Sequence, residues 1–197
     1  MPRTVSKEVY QFEELSDEAK ETARQWWREG DLYDGWYESV YEDAKEMGRL
    51  MGITIDKIYF SGFSSQGDGA CFEGHYDWVK GGVKAIKDAT HEDTVLHRIA
   101  HDLQLVQRPT FYNLSASVKQ RGHYMHEGCT EINISDARYS WFVSDEAKDG
   151  LAEVLRDFMN WIYRRLEKEY DYQMSDECVD EAIIANEYDF NEDGSRA

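Results

Sequence analysis

The spacing of apolar residues changes period several times along the 197 residues, and each change marks a predicted element. VSKEVYQF (5–12) carries Val5, Val9, Tyr10 and Phe12 and predicts a first strand. Ser16 then offers an N-cap to SDEAKETARQWWREG, with acids in the first turn and Gly30 at the end, so a helix is expected. WYESVYEDAKEMGRLMG keeps Tyr37, Val40, Tyr41, Ala44, Met47 and Met51 at helical spacing. The period falls to two in ITIDKIYFSGF (53–63) and ACFEGHYDWV (70–79), which predicts a hairpin around a glycine-rich turn. KGGVKAIKDA predicts a short helix. HEDTVLHRIAHDLQLVQ (91–107) predicts a longer one, with Val95, Leu96, Ile99, Leu103 and Val106 on one side and Pro109 just beyond its end.

A second β pair is expected from FYNLSASVKQ (111–120) and HYMHEGCTEINIS (123–135), on either side of Arg121 and Gly122. Ser144 caps a long helix whose stripe is Leu151, Val154, Leu155, Phe158, Trp161, Ile162 and Leu166. Ser175 caps a last helix, SDECVDEAIIANEY. No proline- or serine-rich linker and no repeat separates these elements. The expectation is a single α+β domain over 1–197: a mostly antiparallel sheet of about four to five strands built from two hairpins, packed with about five helices.

Composition narrows the class. Hydrophobic residues make up 41% of the chain, which is enough for a core. No apolar run suits a signal peptide or a membrane span, so a soluble, cytoplasmic protein is expected. Cys71, Cys129 and Cys178 are odd in number and form no CxxC pair, which fits a reducing compartment. The charge changes the picture most. Against 22 basic residues stand 40 acidic ones, a formal net charge of −18. Such a chain repels nucleic acid and anionic membrane and attracts basic protein surfaces, although solubility or salt adaptation also accounts for the charge.

The acids are unevenly placed. Glu169 to Asp193 holds ten Asp or Glu and no Lys or Arg. Glu29 to Glu46 holds seven acids and one lysine. Glu38, Glu42 and Glu46, and the set Asp176, Glu177, Asp180 and Glu181, include acids at i and i+4, about 6 Å apart on a helix. That is of the order of the phosphate spacing on a nucleic-acid strand. A carboxylate face can then occupy a groove built for a phosphate backbone and keep the counterion-release gain. A plain solvated face is the alternative.

Other constellations carry weaker chemistry. In SSQGDGACFEG, Gly67 and Gly69 suit a turn with positive φ, and Asp68 suits the same turn. The run lacks P-loop spacing. Ser64, Gln66, Asp68, Cys71 and His123 make an alternative ligand pocket at the ends of the two hairpins, suited to a small molecule such as a nucleotide. Within one strand Cys71 lies roughly 13 Å from His75, too far for activation. RGHYMHEGC, read as a strand, puts His123, Glu127 and Cys129 on one face and His126 on the other. Zinc held by Cys71, His123 and Cys129, in a metal-dependent hydrolase, is a third reading, but no short ligand pair nucleates the site. His97 and His101 stand at i and i+4 on a predicted helix. No catalytic residue, metal ligand or cofactor is assigned from these patterns.

Taken together, FSGFSSQGDGACFEG, RGHYMHEGC and DEAIIANEYDFNEDG resemble a widespread family of small proteins from tailed phages and bacterial prophages. Some of its members carry the label "antitoxin of a toxin–antitoxin stability system". The resemblance spans nearly the whole chain. It implies a phage gene product acting in the cytoplasm of a bacterial host by binding another protein, and it transfers no catalytic residue. The expected partner is a basic host or defence protein: a nuclease, restriction, CRISPR or toxin component. Direct nucleic-acid or membrane binding is not expected, and a homodimer is compatible with the sequence.

Overall fold

A computed structural model describes residues 6–30, 32, 35–136 and 143–197. The fold is α+β. Among the described residues it has six α-helices and a four-stranded antiparallel sheet in the order β1-β2-β3-β4. The strands are β1 (Ile53–Phe60), β2 (Ala70–Asp77), β3 (Leu114–Gln120) and β4 (Thr130–Asp136). The helices are α1 (Asp17–Glu29), α2 (Glu38–Met51), α3 (Gly82–Ala89), α4 (Thr94–Gln107), α5 (Asp145–Gln173) and α6 (Asp176–Ala185). The chain forms two compact units, one of residues 1–36 with 168–197 and one of residues 37–167.

In the unit of residues 37–167, strand alternation sends one row of side chains into the core. Ile53 pairs with Tyr76, Tyr76 with Ala116 and Ala116 with Ile134 across the four strands. Phe72, Leu114 and Val118 share that buried face. Helix α5 supplies the expected stripe, with Leu151, Val154, Leu155, Phe158, Trp161, Ile162 and Leu166 all buried. Phe158 meets Phe72 edge-on, with ring centroids 6.1 Å apart. Helix α4 buries Leu96, Ile99, Ala100 and Leu103, while Val95 faces solvent. Its last residue, Gln107, is fully buried. The Gln107 amide donates to the Tyr76 hydroxyl (3.1 Å) and the Leu114 carbonyl (2.7 Å), and its carbonyl accepts from the Leu114 N–H (3.1 Å).

The unit of residues 1–36 and 168–197 has a separate small core of Phe12, Leu15, Ala19, Ala23, Val179, Ile183 and Phe190. Tyr10, Trp26, Trp27 and Tyr188 pack against it. The strand predicted at 5–12 is not formed by its described residues. Tyr10 makes one isolated bridge to Phe190, and Phe12–Glu14 turn as a 3-10 helix. Val5 lies outside the described residues.

Ser16 and Ser175 cap α1 and α6 as expected, accepting from the N–H groups of Ala19 and Cys178. Gly52 ends α2 with φ +88 and turns the chain directly into β1. A Cβ there would collide with the Asp77 carbonyl oxygen. Gly52→Ala therefore combines a left-handed backbone with a backbone clash. It should lower stability by about 2 kcal/mol or more, read by urea unfolding.

Candidate functional site

The acids singled out in the sequence lie on α2 and α6. On α2, Glu38, Glu42 and Glu46 are all exposed. Glu46 is gripped by Arg49 through two bonds of 2.9 and 2.7 Å, which holds its carboxyl below the ordinary range. The neighbouring Asp43 reaches Arg165 at 3.4 Å. No ion pair engages Glu38 or Glu42 among the described residues.

On α6 the set of four divides. Arg24 of α1 makes a fork to Asp180, with bonds of 2.6 and 2.7 Å. Arg28 donates to Asp176 and to the Met174 carbonyl. Glu21 bridges both arginines at 3.2 and 3.3 Å. Asp176 and Asp180 thus fasten α6 to α1, whereas Glu177 and Glu181 point to solvent one turn apart. Spacing within α6 could not separate these pairs, because the arginines that do so lie about 150 residues earlier in the chain.

The alternative pocket residues occupy two loops that meet above one end of the sheet. The connection between β1 and β2 is a nine-residue loop, 61–69, rather than a tight turn. Asp68 organises it by accepting from the N–H groups of Ser64 (3.0 Å) and Ser65 (2.7 Å). Phe63 stacks on Phe60 and on Tyr163, and the Tyr163 hydroxyl donates to the Gly62 carbonyl. Of the two glycines, only Gly67 has positive φ (+99). Gly69 is required for a different reason: a Cβ there would lie 2.5 Å from His126 Cβ, so the second loop rests directly on it.

That second loop is 121–129, where the sequence predicted a strand. Its end is a 3-10 turn at Glu127–Cys129, and β4 begins only at Thr130. The expected two-faced arrangement of His123, His126, Glu127 and Cys129 is therefore replaced by a compact turn. Its glycines, Gly122 (φ +84) and Gly128, bracket the run HYMHE and are the sequence signal that could have argued for a loop. Gln120 tethers it by donating to the carbonyls of Gly122 and Tyr124.

Between the loops runs an open groove of about 550 Å³ lined by Gln66, Gly67, Asp68, Tyr124, His126 and Glu127. Gln66 and Asp68 were anticipated from the sequence; Tyr124, His126 and Glu127 were not assigned to the pocket. Ser64 is exposed on the first loop but does not line the groove. His123 is also exposed and packs edge-on against Tyr124 at 5.8 Å. Cys71 lies in β2 and is fully buried.

The thiols differ in setting. Burial pushes Cys71 up from 9.0 to about 12, with further contributions from Cys129, Glu73 and Glu127. Burial also raises Cys178, which is half-buried. Cys129 is half-buried, and its Sγ lies 3.4 Å from His126 Nε2. His126 Nδ1 accepts the Gly128 N–H at 3.1 Å. A neutral ring so bound carries its proton on Nε2, where it faces the sulfur. The same bond leaves that ring no lone pair with which to take the thiol proton. Among the described residues no group of three His, Cys, Asp or Glu is placed to hold a metal ion. His97 Nε2 contacts the Thr90 carbonyl and His101 lies beside Asp102, so the two histidines have separate partners.

A family described as a domain of unknown function, DUF8835, matches residues 36–176. The chain belongs to this family. The DUF8835 match contains the entire 37–167 unit, and with it the sheet, both loops and the groove. No curated protein and no solved structure matches the chain. No helix among the described residues is long and apolar enough to cross a membrane.

Arg24→Met leaves Asp180 without its fork and should destabilise the first unit by about 1–3 kcal/mol, seen in thermal unfolding. In the native protein iodoacetamide should label Cys129 first and Cys71 last, read by peptide mass spectrometry. The proton on Cys71 is held more tightly in the folded chain than in the unfolded one. Its contribution to stability is complete below pH 9 and lost as pH rises toward 12, so Cys71→Ala should blunt alkaline unfolding in that window.

Proposed function

We propose that this protein is a phage-encoded acidic binding factor. It acts in the cytoplasm of the bacterial host by covering the basic, nucleic-acid-binding surface of a host, defence or toxin protein. The observation that carries this reading is where the charge resides. The unit of residues 1–36 and 168–197 holds 19 acids and 7 bases in 66 residues, a net charge of −12. The larger unit holds 21 acids and 15 bases, a net −6. A small helical unit with two-thirds of the excess charge gains little stability from it, since like charges on one surface repel.

Rigidity supports the same reading. The Arg24 and Arg28 bridges hold α6 against α1, so Glu177 and Glu181 project from a fixed helix. On α2, Glu38 and Glu42 offer a second pair. Carboxylates held at phosphate-like spacing need less ordering on binding than flexible ones. The similarity to phage and prophage proteins, some labelled antitoxins, supports the setting and the range of targets: nuclease, restriction, CRISPR or toxin components. The alternative of nucleotide sequestration is less well supported, because the loop groove is lined by two carboxylates and no lysine or arginine. A metal-dependent hydrolase has no three-ligand group to draw on among the described residues.

The test is capture of partners from nuclease-treated bacterial lysate, with and without added duplex DNA, identified by mass spectrometry. A basic nucleic-acid-binding protein should be retained and then displaced by DNA. Glu177→Lys with Glu181→Lys should weaken its binding at least about tenfold and flatten the salt dependence. Unchanged binding in this double variant, and in Glu38→Lys with Glu42→Lys, would remove the carboxylate faces from the mechanism.

A further inference from the structure

The groove between loops 61–69 and 121–129 has a chemistry of its own. Its charged lining groups are Asp68 and Glu127, with no Lys or Arg. Asp68 uses Oδ2 for two backbone N–H groups, and no hydrogen bond engages its Oδ1 among the described residues. Glu127 contributes its carbonyl to Thr130 Oγ1, leaving its carboxylate outside that bond. Tyr124 lines the same groove and is 58% exposed although it is a large aromatic. The ring contacts two histidines. It lies nearly parallel to His126 at a centroid distance of 6.2 Å and edge-on to His123 at 5.8 Å. Gly67, with no side chain, lets the first loop pass beneath it: a Cβ at Gly67 would already touch Tyr124 Cδ1 at 3.5 Å.

These features select a ligand class. An exposed tyrosine face attracts a cation, and a carboxylate from each loop adds charge and hydrogen-bond acceptors. Anions are repelled. A guanidinium fits better than an ammonium, because it is planar, stacks on the ring and can fork to a carboxylate at its edge. A volume of about 550 Å³ is ample for such a side chain. We propose that this groove is a recognition pocket for an arginine side chain of the basic protein partner. The inference rests on reading the chain as a binder of such a protein. The general acidic faces attract any basic surface, whereas this pocket reads which cation is presented. In that arrangement the groove supplies specificity and the helix faces supply steering.

The full-length protein should be titrated with fluorescein-labelled hepta-arginine and, separately, hepta-lysine, at low and physiological salt. The expected result is tighter binding of hepta-arginine by about fivefold. Tyr124→Ala and Glu127→Gln should each reduce that preference toward one, while leaving hepta-lysine binding nearly unchanged. Both positions lie on the loop surface, and thermal unfolding confirms that each variant is folded. Glu177→Lys with Glu181→Lys should weaken both peptides equally and leave the preference intact. Equal binding of the two peptides by the native protein, or a preference that survives both groove variants, overturns the pocket while the acidic-binder reading stands. Failure of both peptides to bind at low salt overturns both. Full competition by free agmatine at concentrations comparable to the peptide would assign the groove to a free guanidine and overturn its assignment to a partner side chain.

Discussion

The larger unit depends on one buried amide. Gln107 is fully enclosed at the end of α4, and a buried amide left unpaired would cost as much as a core mutation. Here both amide hydrogens and the carbonyl are used, on Tyr76 of β2 and on both backbone groups of Leu114 in β3. The bond to Leu114 fixes where β3 begins, and hence its register against β2 and β4. The register in turn decides that Ala116, Val118, Ile132 and Ile134 face the helices, since a slip of one residue would turn the row to solvent. A polar group at the centre of an apolar layer therefore specifies geometry as well as stability.

The register also positions the loops. Strands β2 and β3 are ordered by Gln107 at one end, and the opposite end of β2 emerges beside Gly69, where the 121–129 loop comes down onto the 61–69 loop. The turn at Glu127–Cys129 covers the outer face of β2 at Cys71. This explains why a thiol on the strand's solvent side is buried and raised in pKa. Cys71 is thus fully buried in β2, the strand that the 127–129 turn contacts. The aromatic stack of Phe60, Phe63 and Tyr163 braces the first loop from its other side, so the groove is built on supported backbone.

Much of the framework was legible because local periodicity and burial agreed. The stripe of α5, the caps Ser16 and Ser175, and the two hairpins all follow from spacing that no tertiary contact contradicts. The failures have a common physical origin. Tyr10 and Phe12 looked like a strand, but their partner is a single bridging residue, Phe190, near the far end of the chain. RGHYMHEGC alternated like a strand, yet Gly122 and Gly128 permit a turn that brings His126 onto Gly69, a contact between residues 57 positions apart. Gly69 itself was noted for backbone freedom and is needed for close approach. The acidic faces were visible as composition. Their division into clamped and open carboxylates depends on Arg24, Arg28 and Arg49, of which only Arg49 is local.

The arginine clamps explain how so acidic a unit can fold. Its core is small: seven buried residues with four partly buried aromatics packed against them. A net −12 on such a body opposes compaction at every exposed position. Arg24 and Arg28 place two of the unit's seven bases at the α1–α6 contact, where Arg24 is 19% exposed and the effective dielectric is lower than at the open surface. Arg196 does the same at the chain's end, lying 4.8 Å from the centroid of Tyr188 and within 6.0 Å of those of Trp26 and Phe190. Each cation stands at a seam between segments distant in sequence and leaves the outward acids uncompensated. An acidic unit stays folded when its cations stand at its seams, and the three arginines named here all lie there.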